Sequence, residues 1–122
     1  MSNDTNVSEM LLSVGGDFLE GMTSRQELQA RVDIVKTAWN IALCPIKDRK
    51  KALKKCLKTY RNIAPSKEAL KGLEREINEL IIQKDLLHPD ISSEVVCTEV
   101  SEKGLHDYVI KAYFKKKDEA VH

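Results

Sequence analysis

The 122-residue sequence predicts a mainly α domain, about four antiparallel helices with a C-terminal β-hairpin. Apolar residues recur at steps of three and four through most of residues 7–87, the period of one helical face. Serine caps and prolines divide that stretch into helices joined by short links, which favour antiparallel neighbours. After Pro89 the composition turns to β-branched and aromatic residues in two runs, as a hairpin requires. Leu105, Tyr108, Val109, Ala112 and Tyr113 also fit a helical face, and an all-α domain follows if that segment is helical.

A chain of this length fits one domain with one core, here residues 1–122 with a frayed start at 1–6 and a solvated tail at 115–122. Charged residues make up 32% and aromatics only 5%, so the helices must pack through aliphatic side chains.

In the first element, "VSEMLLSVGGDFL", Val7, Met10, Leu11, Val14 and Phe18 share a face. Gly15 and Gly16 interrupt it, each costing about 1 kcal/mol against alanine in a helix interior, so a short, bent or broken helix is expected. The second helix starts at Ser24, whose hydroxyl can accept from the Glu27 amide in a capping box, and runs towards Cys44, where Pro45 stops it. Leu28, Val32, Val35, Trp39, Ala42 and Leu43 form its main stripe, and Ile34, Ala38 and Ile41 widen that stripe beyond half the circumference. A helix so apolar is either central or part of a subunit interface. Ile34, Ala38 and Ile41 are accordingly the candidate self-association residues of a homodimer.

Asp48 can cap a third helix that ends near Asn62, with Ile46, Leu53, Cys56, Leu57 and Tyr60 inward. Ser66 caps a fourth, with Leu70, Leu73, Ile77, Leu80, Ile81 and Leu87 inward and Pro89 ending it. In the hairpin, "SEKG" supplies the turn between "SEVVCTEV" and "HDYVIKAYF". An isolated hairpin is marginal and must pack on the helices or on another chain.

Little in the chain points to catalysis. There is no phosphate-binding loop, dinucleotide fingerprint or zinc-protease motif, and Gly15-Gly16 reads as a helix break. Cys44, Cys56 and Cys97 are odd in number and far apart, without metal-ligand spacing. His88 sits at a helix end, where a cation would complement the dipole. A Cys97–His106 nucleophile pair across the hairpin lacks an orienting acid and an oxyanion donor. Tyr108, Tyr113 and Phe114 beside Lys115–Lys117 resemble a stacking platform, although packing on the helices is the simpler role. The expectation is a non-enzyme without cofactor or metal. "MSNDTNVSEM" is unlike a signal peptide, and no apolar run approaches the ~20 residues of a membrane span, so a cytoplasmic protein without membrane attachment is expected.

The charge layout is the most informative feature. Residues 1–46 sum to −3, residues 47–61 to +7 and residues 62–122 to −3. On a helix, Lys47, Lys50, Lys51, Lys54, Lys55, Lys58 and Arg61 fall within a sector of roughly 140° opposite the apolar stripe. Such a run is often only a solubilising face. It also suits an acidic protein partner, including the acidic N-terminal segment of a neighbouring copy. A third use is the nucleic-acid backbone, bound through the basic helix 48–62. Because the stripe is nearly pure lysine, with no Asn or Gln to read base edges, such binding would be sequence-independent. The function expected from the sequence is a non-catalytic interaction or regulatory module that self-associates, with nucleic-acid binding as the alternative.

Overall fold

The computed structural model describes residues 3–21, 24–104 and 107–116. Four helices, α1 (Asn3–Gly15), α2 (Arg25–Ala42), α3 (Ile46–Tyr60) and α4 (Lys67–Leu87), precede an antiparallel hairpin of β1 (Ser93–Gly104) and β2 (Asp107–Lys116). Helix α1 begins within the stretch expected to fray, so Asn3–Asn6 form its first turns, while Met1 and Ser2 lie outside the described residues.

Local signals place most boundaries. Helix α1 stops at the double glycine, where the chain tightens into a 3-10 turn over Gly16–Leu19. Gly16 takes φ +47, a left-handed conformation open to glycine at little cost. Gly15 has no room for a side chain, since an added Cβ would lie 2.5 Å from Leu19 Cδ1 and 3.2 Å from Val35 Cγ2. The Ser24 and Ser66 hydroxyls accept from the Glu27 and Ala69 amides, each at 3.1 Å, and start α2 and α4. The cap of α3 is Pro45 and not Asp48, which lies in the first turn. Proline suits the start of a helix because its missing N–H has no partner to lose there.

Helix α2 is the central helix. It packs against α1, α3, α4 and β1, and Val32, Val35, Ala38 and Trp39 are fully buried. Around it gather Leu11 and Val14 of α1, Ile77, Leu80 and Ile81 of α4, Leu53 of α3, and Val95, Val100 and Ala112 of the hairpin. The breadth of the α2 stripe therefore has an explanation within one chain. Ala38 and Ile41 are buried in this core and Ile34 is half-buried, so the first two present no face to a second copy.

Two residues expected inward are exposed. Ile46, 82% exposed, is the first residue of α3, directly after its Pro45 cap. Leu87, 48% exposed, ends α4 where Lys84 and the His88 ring already occupy the space around Trp39.

The hairpin register sets Val95 opposite Phe114, Cys97 opposite Tyr113 and Val100 opposite Ile110, with irregularities at Val95/Cys97 and Glu102/Gly104. Strand β1 runs through the expected "SEKG" turn, with Ser101 pairing Val109 and Glu102 pairing Tyr108, so the reversal falls later. Helix α2 holds the other edge of β1. Asn40 donates to the Val95 carbonyl and accepts from the Val95 amide, both at 2.9 Å. Gln29 accepts from the Val100 amide at 2.9 Å, Arg25 donates to the Val100 carbonyl at 3.3 Å, and Trp39 donates to the Ser93 carbonyl at 2.9 Å. These side chains occupy the open edge of β1, which would otherwise template further pairing. Strand β2 takes in Lys115 and Lys116 from the expected tail, and residues 117–122 lie outside the described residues.

Candidate interaction surface on the third helix

Helix α3 stands at the margin of the domain. Leu53 is its one buried side chain among the described residues, with Cys56, Leu57 and Tyr60 half-buried beside it. So short an apolar stripe is reinforced by Arg49. Its guanidinium donates to both carboxylate oxygens of Asp85 on α4, at 2.7 and 3.1 Å, and to the Ala42 carbonyl at 2.6 Å. Its Nε reaches the Cys44 carbonyl at 3.4 Å, so one side chain joins the end of α2 to α3 and α4. The planar fork of arginine fits this several-point role better than a lysine could. Within the basic run, only the position three residues after Ile46 and four before Leu53, on the inward side, distinguishes Arg49 from its neighbours.

The seven candidate partner-binding residues are treated differently by the fold. Lys47, Lys50, Lys51, Lys54, Lys55, Lys58 and Arg61 are all exposed, six along α3 and Arg61 at its C-cap. Among the described residues the ion pair present is Arg49–Asp85, and none of the seven lies within 4.0 Å of a carboxylate. From Lys47 to Lys58 the stripe is about 16 Å long at 1.5 Å per residue. Neighbours three and four apart lie well inside a screening length of about 8 Å at physiological salt, so their charges add into one field.

The other features singled out by the sequence are dispersed. Phe114 turns inward and meets Trp39 edge-on at 5.6 Å, Tyr108 is half-buried against the core, and Tyr113 remains on the outer face. No common stacking surface joins these three rings. Cys97 is exposed and paired with Tyr113, and His106 lies outside the described residues.

His88 is not the cation at the end of α4. Burial, and then the neighbouring Lys84, hold its imidazole below the usual histidine range. Its Nε2 lies 2.8 Å from Ser13 Oγ, whose own hydrogen goes to the Met10 carbonyl at 2.7 Å, so Nε2 is the protonated nitrogen that donates. The cation at this helix end is Lys84, 2% exposed, which donates to the His88 and Ile91 carbonyls at 2.7 Å each. Its ammonium lies 4.9 Å from the Trp39 ring centre. Nothing local in the sequence separates Lys84 from other lysines except its place in the Ile77–Leu80–Ile81 stripe.

Between α3 and α4 runs an open groove of about 490 Å³, lined by Ile46, Arg49, Lys50, Leu53, Glu74, Asn78, Ile81 and Ile82. No protein-family model, curated protein or solved structure matches this chain. Among the described residues, no helix is long and apolar enough to cross a membrane.

Proposed function

We propose that this chain is a non-catalytic interaction module that offers the lysine face of α3 to an acidic protein partner. One observation carries the reading. The basic residue of α3 that packs, Arg49, is fully engaged within the domain, whereas the seven outward cations have no ion-pair partner among the described residues. Holding like charges at i+3 and i+4 costs a few tenths of a kcal/mol per pair, and an acidic partner removes that cost. Self-association through Ile34, Ala38 and Ile41 drops out of the reading, because the core of one chain already uses Ala38 and Ile41. The same stripe suits a phosphate backbone, which is the competing use of these lysines.

The test changes Lys51, Lys54 and Lys58 together to glutamine. All three are exposed, so the variant should melt within about 0.5 kcal/mol of the parent. Affinity for poly-glutamate and for duplex DNA is then measured across a salt titration. The reading expects poly-glutamate to bind the parent more tightly than DNA, and the variant to lose affinity and part of the salt slope. Tighter binding to DNA transfers the stripe to nucleic acid. Unchanged binding by the variant makes the stripe a solvated face.

A further inference from the structure

The lysine stripe borders a groove between α3 and α4 whose walls carry exposed apolar side chains. Ile46 and Ile82 are 82% and 49% exposed on opposite walls of the α3–α4 groove, with Leu53 and Ile81 at its floor. Leu86, 69% exposed, lies one turn beyond Ile82 on α4. Isolated apolar residues on a surface need no explanation, but Ile46, Leu53, Ile81 and Ile82 line a single groove.

We propose that this groove receives an amphipathic helix of a partner protein, with its apolar stripe on Ile46, Leu53, Ile81 and Ile82 and acidic residues along the flank that faces α3. The inference rests on the reading of the lysine face and adds the shape of what docks there. Two features of the groove carry it. The first is length: the lining spans Ile46–Leu53 on α3 and Glu74–Ile82 on α4, about 10–12 Å at 1.5 Å per residue. That accommodates about two turns of helix, read as anchors at i, i+3 or i+4, and i+7.

The second feature is an asymmetry of charge. Lys50 lines the α3 wall, with Lys47, Lys51 and Lys54 exposed around it, while the α4 wall carries Glu74 and Asn78; Asp85 of α4, outside that lining, is paired with Arg49. A complementary helix is acidic towards α3 and neutral or basic towards α4. A second copy of this chain fits poorly, because the exposed face of its own α4 mixes Lys67, Lys71 and Arg75 with Glu68, Glu74 and Glu79. A phosphate backbone satisfies the lysines but leaves Ile46 and Ile82 in water. An acidic amphipathic helix covers both kinds of surface.

The experiment titrates the full chain, labelled at isoleucine methyls, with three designed peptides. One carries a leucine stripe at helical spacing with glutamates on one flank, one has lysines in place of the glutamates, and one has the first peptide's composition in an order that forms no stripe. The Glu-flanked peptide should shift the methyls of Ile46, Ile81 and Ile82 and leave exposed Ile63 and buried Ile77 unmoved. The double variant Ile46→Ser/Ile82→Ser, checked by thermal melting, should weaken that peptide about tenfold or more while poly-glutamate binding persists. Equal binding by the stripeless peptide, abolished by the lysine substitutions, would overturn the groove and leave the lysine reading standing. Equal binding by the Lys-flanked peptide, methyl shifts that track protein concentration alone, or no peptide binding would each overturn the groove as well. If poly-glutamate also fails to bind, the lysine reading falls with it.

Discussion

Replacing Lys84 with methionine removes the ammonium and keeps most of the stem over Trp39. The ammonium makes two charge-assisted bonds at 2.7 Å, to the carbonyls of His88 and Ile91, and so ties the end of α4 to the chain entering β1. Hydrogen bonds from a charged donor contribute about 1.5–3 kcal/mol each, and their loss leaves two carbonyls without this donor. Opposing that loss is the desolvation of the ammonium. Burial pushes Lys84 below the usual lysine range, Asp85 pulls it back up, Arg49 pushes it down again, and Asp90 pulls up last. The net cost of Lys84→Met should be about 2 kcal/mol. Lys84→Ala should lose about 2 kcal/mol more, since it also removes the methylenes packed on the indole. Urea unfolding followed through Trp39, the single tryptophan and fully buried, measures both. Amide exchange at Ile91, which donates to the His88 carbonyl at 3.3 Å, should accelerate in each variant. A methionine variant as stable as the parent would refute the bridging role of the ammonium. Equal losses in the two variants would refute the contribution of the stem.

Asn40→Ala strands both backbone groups of Val95, which is 1% exposed, and should cost about 2–4 kcal/mol in urea unfolding with faster exchange at the Val95 amide. His88 has a folded pKa below its ordinary value of 6.5, so as pH falls through that value the unfolded chain takes up its proton first. Stability should therefore decline from about pH 6.5 downward, and His88→Gln should flatten that slope in melts taken between pH 7.5 and 5.5. Thiol labelling should reach exposed Cys97 faster than Cys56, which is half-buried and whose pKa burial raises. Fast labelling of Cys97 below neutral pH would contradict the non-catalytic reading.

Much of the fold was legible because its signals are local. Ser24, Ser66, Pro45, Pro89 and the double glycine act within one turn of themselves, and each marks a boundary where the sequence reading put it, to within a few residues. The hairpin was legible from composition, but its turn was not. The placement of β1 on α2 depends on Gln29 and Asn40, which reach β1 from 55 or more residues away. The broad stripe of α2 identified a helix buried on more than one side without saying what buries it, and the answer is the hairpin together with α1, α3 and α4. Arg49 and Lys84 sit among twenty basic residues, and only tertiary packing gives them their roles. The outward position of the lysine stripe followed from the helical period alone, because α3 lies at the margin and these side chains are exposed among the described residues.

The lysine face itself is tested most directly by mapping backbone amide shifts of the full chain during titration with poly-glutamate at physiological salt. The account predicts saturable shifts concentrated in residues 47–61, weakened by added salt, with the amides of β1 and β2 nearly silent. Shifts spread evenly over the surface, or centred on the hairpin lysines Lys111 and Lys115, would contradict it.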